Sequence, residues 1–485
     1  MNPVDLGIIV AYIVGCTLLG SWLGSSAKGL KGYFLGESNI PAWAVMISIV
    51  ATETSTATFL SVPSIAYKGD FRFLQLAIGY LFGRLVVSTV LLPMYFKGEI
   101  YTAYEVLDQR FGGATKTLAA VLFLVTRTLG DGLRLFLAAV VMRDLSGWDL
   151  PASIVVMGTA TIIYTYLGGM KGVIWTDVIQ FFIYMAGALV ALWILVHRID
   201  GGWEALVSRG AAAGKFRMFD FTFDLTLPYS FWAGAVGGMI LNTATHGADQ
   251  IMVQRYLSAR SERQAAGALM ASGLVVFAQF ALFLLIGVAL WAFYQDHPPA
   301  LPLGRDGEFS SFIAHELPTG ILGLVVAAIF SAAMSTLSSS LNASASATIN
   351  DLYRPLHPGA SEAHLLRLSK AMTAAWGLAQ MGVAFGAIGL NDNVVSLALK
   401  IASFVTGIIL GLFLLGVWTT RVGQASALVG FVAGLAAVSY AAFGTALAWP
   451  WYALVGSSTV VLVGLAASYV LPPWSPTAAS STPKS

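Results

Sequence analysis

Residues 41–67 read PAWAVMISIVATETSTATFLSVPSIAY, and their centre decides the architecture. The stretch is apolar and long enough to cross a bilayer core, which takes about 20 residues. Its middle, ATETSTAT (51–58), holds four threonines, one serine and Glu53. Ser and Thr side chains compete for backbone hydrogen bonds, and β-branched Thr is a modest helix former. The span is therefore expected to break at bilayer depth. Irregular backbone is tolerated there only where it is buried in protein or lines a cavity. A second interruption is expected within SFWAGAVGGMILNTATHGADQIMVQRYL (230–257), whose centre carries Gly237, Gly238, Asn242, His246, Gly247 and Asp249.

The rest of the chain supports a membrane setting. It is 57% hydrophobic and 10% charged, with a mean hydropathy of +0.77, against about 25% charged residues in soluble domains. One cysteine, Cys16, excludes a disulfide framework or a thiolate metal cluster. A net charge of +2 says little about partners. The N-terminus lacks a basic leader and carries Asp5 before its apolar run, so it reads as a transmembrane helix rather than a signal peptide. About thirteen spans are expected between residues 4 and 471, followed by a disordered tail at 473–485. Lys and Arg number fourteen on one side of these spans and eight on the other, which puts the N-terminus outside and the C-terminus in the cytoplasm.

The two interrupted spans are the second and the seventh, five spans apart. An odd number of helices per repeat turns the second copy upside down, and paired interruptions mark inverted-repeat transporters with a midplane site. The expected division of this single transmembrane domain is an extra helix at 4–24, a five-helix repeat at 41–197, its inverted copy at 229–418, and two further helices at 423–471.

The ninth span contains SAAMSTLSSSLNAS (331–344), with seven hydroxyls in fourteen positions. Ala332, Ser335 and Thr336 are spaced i, i+3, i+4 and share a face. Two readings stand. Small residues let helices pack closely and hydrogen-bond to one another. Alternatively, the hydroxyls and the carbonyls freed at the break in 41–67 form an oxygen cage for a hard cation.

With these segments in view, the chain resembles the sodium/solute symporter family, whose fold is LeuT-like with five-plus-five inverted repeats. The matching stretches include YFLGESNIPAWAVMISIVATETSTATFLSVP (33–63), LPMYFKGEIYTAYEVLDQRFGG (92–113), YLGGMKGVIWTDVIQ (166–180), GADQIMVQRYLSARS (247–261), LPTGILGLVVAAIFSAAMSTLSSSLNASA (317–345) and SFVTGIILGLFLLGVW (403–418). The resemblance implies an all-α polytopic protein that drives symport with the sodium gradient. It places the main sodium ligands on the carbonyls of Ala51, Thr54 and Ala332 and the hydroxyls of Ser335 and Thr336. A second sodium, known in part of the family, falls on Asp177, Ser338 and Ser339. Solute contacts fall on Glu53, Ser55 and Thr58, with Glu53 equally able to tune sodium affinity from behind the ion's ligands, Gln75 as a further candidate for the solute pocket, and Lys400 near a polar solute contact of the eleventh span.

Ionisable residues at membrane depth are costly and mark function by default. Glu53, Arg84, Arg127, Asp131, Arg134, Asp177, Asp249 and Lys400 are four acids and four bases, so the set can be internally neutral. Arg127, Asp131 and Arg134 share a helix face. One arginine is expected to pair with Asp131 while the other faces a loop or a further acid, or Arg134 offers its planar fork to an anionic solute. His246 is either a protonatable switch or a hydrogen-bonded structural residue. Asp249, Gln254 and Arg255 in ADQIMVQRY resemble a signature of that family near the inner end of the seventh span, which implies scaffold and inner-gate roles. Trp43, Phe59 and Phe231 are aromatic candidates for pocket walls.

The reading is a sodium-coupled symporter importing a small organic solute by alternating access, and the basic intramembrane residues favour a solute with a carboxylate. Its partners are that solute, Na+ and the lipid bilayer, with no nucleic acid and no obligatory protein partner. Its expected location is a bacterial inner membrane. The alternatives are a proton-coupled permease of the same fold, which does not need the Ser335–Thr336 pair, and a transporter-like sensor, which would carry a soluble signalling domain. No nucleophile elbow, zinc-protease motif or phosphate-binding loop supports an enzyme.

Overall fold

The computed structural model describes residues 2–24, 29–98, 100–298, 307–390 and 392–473, with backbone only for residues 57, 146 and 392–403. The longer helices are α1 (Pro3–Gly24), α2 (Ala42–Glu53), α3 (Thr56–Lys68), α4 (Leu74–Val86), α5 (Gly113–Ser146), α6 (Leu150–Arg198), α7 (Met239–Gly247), α8 (Gln250–Ser258), α9 (Glu262–Asp296), α10 (Ile321–Ala347), α11 (Glu362–Gly386), α12 (Asp392–Trp418), α13 (Gln424–Gly444) and α14 (Tyr452–Ala467). Apart from one isolated bridge between Ile40 and Ala259, the regular structure of the described residues is helical. Helical segments lie on every stretch read as a span. Among the described residues, by length and composition, seven helices are long and apolar enough to cross a membrane, or eight with the bent pair α2–α3. The tail at 474–485 lies outside the described residues.

Both expected breaks are present. Between α2 and α3 the axis bends by 62°, because Thr54 (φ −90°, ψ 102°) and Ser55 (φ −96°, ψ 168°) are extended. Ser55 then caps α3 by accepting the Thr58 amide proton. The other break lies between α7 and α8, at Ala248 (φ −128°, ψ 1°) and Asp249 (φ −97°, ψ 126°), and Asp249 caps α8 through Ile251.

The boundary expected between spans five and six also falls on a break. Within α6 the backbone leaves the helical conformation at Gly169 (φ 52°, ψ −156°). That backbone region is essentially restricted to glycine. A Cβ at Gly169 would lie 2.6 Å from the Tyr33 carbonyl oxygen. Gly169→Ala is therefore expected to destabilise the protein by roughly 1–3 kcal/mol, read as a lowered melting midpoint in detergent. Unchanged melting would show that the kink relaxes freely.

The serine-rich helix α10 is buried on all sides from Val325 to Ala347, packed against α1, α5, α6 and α11. Its hydroxyls face protein rather than lipid. Ser331 donates to the Ala327 carbonyl at 2.8 Å, Ser338 to that of Ser335 at 3.1 Å, and Ser340 accepts from Gln380 at 2.9 Å.

Candidate functional site: the breaks and the serine-rich helix

A helix ends with carbonyls that have no amide partner four residues on, and α2 ends inside the protein. The Thr54 amide and hydroxyl both donate to the Val50 carbonyl, at 3.2 and 3.0 Å. Gln279 donates to the Thr54 hydroxyl at 2.6 Å, and Tyr184 does so at 3.5 Å. These bonds hold the Thr54 side chain while its backbone leaves the helix.

Helix α10 runs past this end. The Thr336 hydroxyl donates to the Thr52 carbonyl at 3.4 Å and the Ala332 carbonyl at 3.3 Å. Thr52 and Ser339 share a hydrogen bond at 3.2 Å, and Thr56 donates to Ile329 at 3.2 Å. The structure thus brings the Ala51–Thr54 turn together with the Ala332–Ser339 face. All of these residues are buried, except Glu53, which is partly exposed.

Ser335 donates to Asp177 Oδ1 at 2.6 Å. A hydroxyl that gives its proton away keeps its lone pairs for another partner, so Asp177 turns Ser335 into an acceptor. Asp177 in turn accepts from Ser48 at 2.5 Å and pairs with Arg255 Nη2 at 2.9 Å. Arg255 also donates to Ser48 at 2.8 Å, to the Ile251 carbonyl at 2.9 Å and to Ser339. Two of the three residues suggested for a second sodium, Asp177 and Ser339, therefore hold a guanidinium.

The other intramembrane charges also find partners. Arg134 pairs with Asp131 and Arg127 with Asp249, so of the two places left open for the second arginine, a loop or a further acid, it takes the acid. Glu53 pairs with Arg84, and its other oxygen lies 3.4 Å from His246 Nε2. Arg255 is one of the residues that the family resemblance had suggested as scaffold and inner gate. The side chain of Lys400 lies outside the described residues.

A narrow cleft is lined by Ser55, Thr56, Arg134, Ala333, Thr336 and Leu337, among others. Ser55 and Arg134, two of the candidate solute contacts, meet there. Thr58 lies beside Ser55, hydroxyl to hydroxyl at 3.4 Å. Gln75 is placed differently. Its amide donates to the carbonyls of Arg72 and Tyr229 and accepts from the Asp220 amide, which latches the loop that carries Asp220. Hydrogen bonds from Thr222 and then from Arg72 hold the Asp220 carboxyl down at about 2. The three aromatic residues do not converge. Trp43 packs on Trp175, Phe59 on Phe283 and Phe309, and Phe231 on Phe221 and Trp232.

Sequence reading did not assign Gln279, Tyr184 or Arg255 to this neighbourhood. Gln279 carried a signal, a lone amide in VVFAQFALFLL (275–285). Arg255 and Asp177 are 78 residues apart, and no local pattern links them.

Paired interrupted helices around a buried, oxygen-rich face define a LeuT-like secondary transporter. Residues 33–434 match the sodium:solute symporter family, and the chain belongs to that family. It is 31% identical over 473 residues to the sodium/sialic acid symporter SiaT of Proteus mirabilis, covering 95% of this chain and 94% of that protein. It is 29% identical over 456 residues to the human sodium/iodide cotransporter, covering 91% of this chain and 70% of the relative. A solved structure of a Na+-coupled sialic acid symporter, substrate-bound and outward-open, superposes with a TM-score of 0.90 at 29% identity, covering 97% of this chain and 99% of that one. The protein is a sodium-dependent membrane transporter and not an enzyme.

Proposed function

We propose that this transporter imports a small carboxylate-bearing organic solute together with sodium, and that Arg134 receives the carboxylate. The observation that carries this reading is the cleft in which Arg134 meets Ser55, Thr56 and Thr336. Asp131 holds the guanidinium by one nitrogen, and a planar five-donor fork has further donors for a second anion. The relatives named for sialic acid and for iodide both carry anions. Sodium sits on the carbonyls of Ala51, Thr54 and Ala332 and the hydroxyls of Ser335 and Thr336. One sodium moves per cycle, because Arg255 supplies the positive charge at Asp177 and Ser339, two of the residues suggested for a second ion. Segments 41–197 and 229–418 act as the two inverted repeats. The chain resides in a bacterial inner membrane with its N-terminus outside, an orientation supported by the Lys and Arg distribution.

The test is thermal unfolding against a panel of sialic acids, monocarboxylates, amino acids and neutral sugars, each in sodium and in potassium. A ligand that binds the folded state raises the midpoint by mass action. A carboxylate is expected to stabilise in sodium alone. Stabilisation that ignores the cation and follows pH would favour the proton-coupled alternative. In transport assays Arg134→Gln is expected to raise the solute KM by about 10- to 100-fold, the range for a charge-assisted bond of 1.5–3 kcal/mol. An unchanged KM would remove Arg134 from the solute site.

A further inference from the structure

We propose that Arg84, supported by His246, is a fixed counter-cation that sets the sodium affinity of the α2–α3 break by neutralising Glu53. The inference rests on the sodium site proposed above.

Glu53 lies between Ala51 and Thr54, two of the residues whose carbonyls are assigned to sodium. Its Oε2 accepts from Arg84 Nη2, and its Oε1 faces His246 Nε2 at 3.4 Å. His246 Nε2 also lies 3.3 Å from Arg84 Nη2, and its Nδ1 meets the Thr245 hydroxyl at 3.2 Å. Arg84 is fully buried. Its Nε donates to Ser272 at 3.2 Å, and Gly273 makes room for the side chain, since a Cβ there would lie 2.9 Å from Arg84 Cδ. The guanidinium is therefore built in by α4, α7 and α9 together.

Helix ends explain why a cation belongs here. Glu53 ends α2, and His246 and Gly247 end α7. Both helices point the negative ends of their dipoles at this cluster. With Glu53 ionised, the break would be a strongly negative cavity around a bound cation. Sodium would then bind too tightly to leave on each cycle. Arg84 cancels that charge while leaving the neutral oxygens to ligate the ion.

An uncompensated unit charge within a helical turn of a bound ion changes its affinity by about tenfold or more at a protein's effective dielectric. Arg84→Met is expected to lower the sodium concentration for half-maximal stabilisation at least about tenfold, and to slow turnover. Glu53→Gln, which leaves the cation alone, is expected to raise it by a similar factor. Arg84→Lys keeps the charge and stays near the parent value. The pair Arg84→Met with Glu53→Gln is neutral, and replacing a buried ion pair as a unit is often tolerated. It should bind sodium within about threefold of the parent, also when a single variant fails to fold.

The measurement is a sodium titration of the melting midpoint without solute, repeated as sodium-dependent uptake. The inference is overturned if Arg84→Met leaves sodium affinity unchanged or weakens it, if Glu53→Gln does not weaken it, or if the neutral pair loses sodium binding. Ser335→Ala with Thr336→Ala, run alongside, separates the two readings. If that pair leaves sodium binding intact, the sodium site itself is misassigned. If it weakens binding while the Arg84 and Glu53 variants have no effect, only the present inference fails.

Discussion

Arg255→Met should leave the transporter largely unable to fold. Arg255 and Asp177 are both buried, and the guanidinium reaches Asp177, Ser48, Ser339 and the Ile251 carbonyl. Removing one partner of a buried pair typically costs about 3–5 kcal/mol, because the other charge stays without compensation. That is a large part of a typical stability of 5–15 kcal/mol. The expected result is loss of monodisperse protein on size exclusion, or a strongly lowered melting midpoint. The pair Arg255→Met with Asp177→Leu should recover the fold. It should not recover sodium affinity, since Ser335 then has no acid to take its proton. A double variant with full sodium affinity would show that Asp177 plays no part in orienting Ser335. A single variant that melts normally would show that Asp177 is neutralised in another way.

Ser335→Ala with Thr336→Ala should raise the sodium requirement for uptake by about a hundredfold or more. Two of the five assigned oxygens are lost. Bonds to a charged group are worth about 1.5–3 kcal/mol each, and 1.4 kcal/mol is tenfold in affinity. Folding should suffer little, because alanine is the strongest helix former and Asp177 keeps Ser48 and Arg255. Among the described residues the Thr336 hydroxyl makes two long bonds, at 3.3 and 3.4 Å, and its lone pairs are available to an ion. Uptake measured against sodium concentration decides the matter. An unchanged sodium dependence would leave these hydroxyls as packing groups.

Much of the fold was legible in the chain because membrane helices obey a strong length rule and because breaks need polar, helix-averse residues at depth. ATETSTAT and GGMILNTATHGADQ announce themselves for that reason. The boundary at Gly169 was legible too, since GG in YLGGMKG (166–172) marks the end of one span and the start of the next. The site was legible in part. The face shared by Ala332, Ser335 and Thr336 follows from helical spacing, and the sharing of Arg127 and Arg134 between two acids is one of the arrangements that the sequence left open. Gln75 shows the limit. A polar residue at the start of a span looks like a pocket residue, yet here it ties the Asp220 loop to the Tyr229 carbonyl.

The sequence by itself determined what must be helical, where the helices must stop, and which oxygens and charges lie at membrane depth. These properties depend on composition and on periods of a few residues. Only the tertiary structure decided who neutralises whom: Arg84 for Glu53 across 31 positions, Arg127 for Asp249 across 122, and Arg255 for Asp177 across 78. A buried charge demands a partner, but it places no constraint on that partner's position in the chain. Distance in space settles the choice, and packing of α4, α5 and α8 against the broken helices sets that distance.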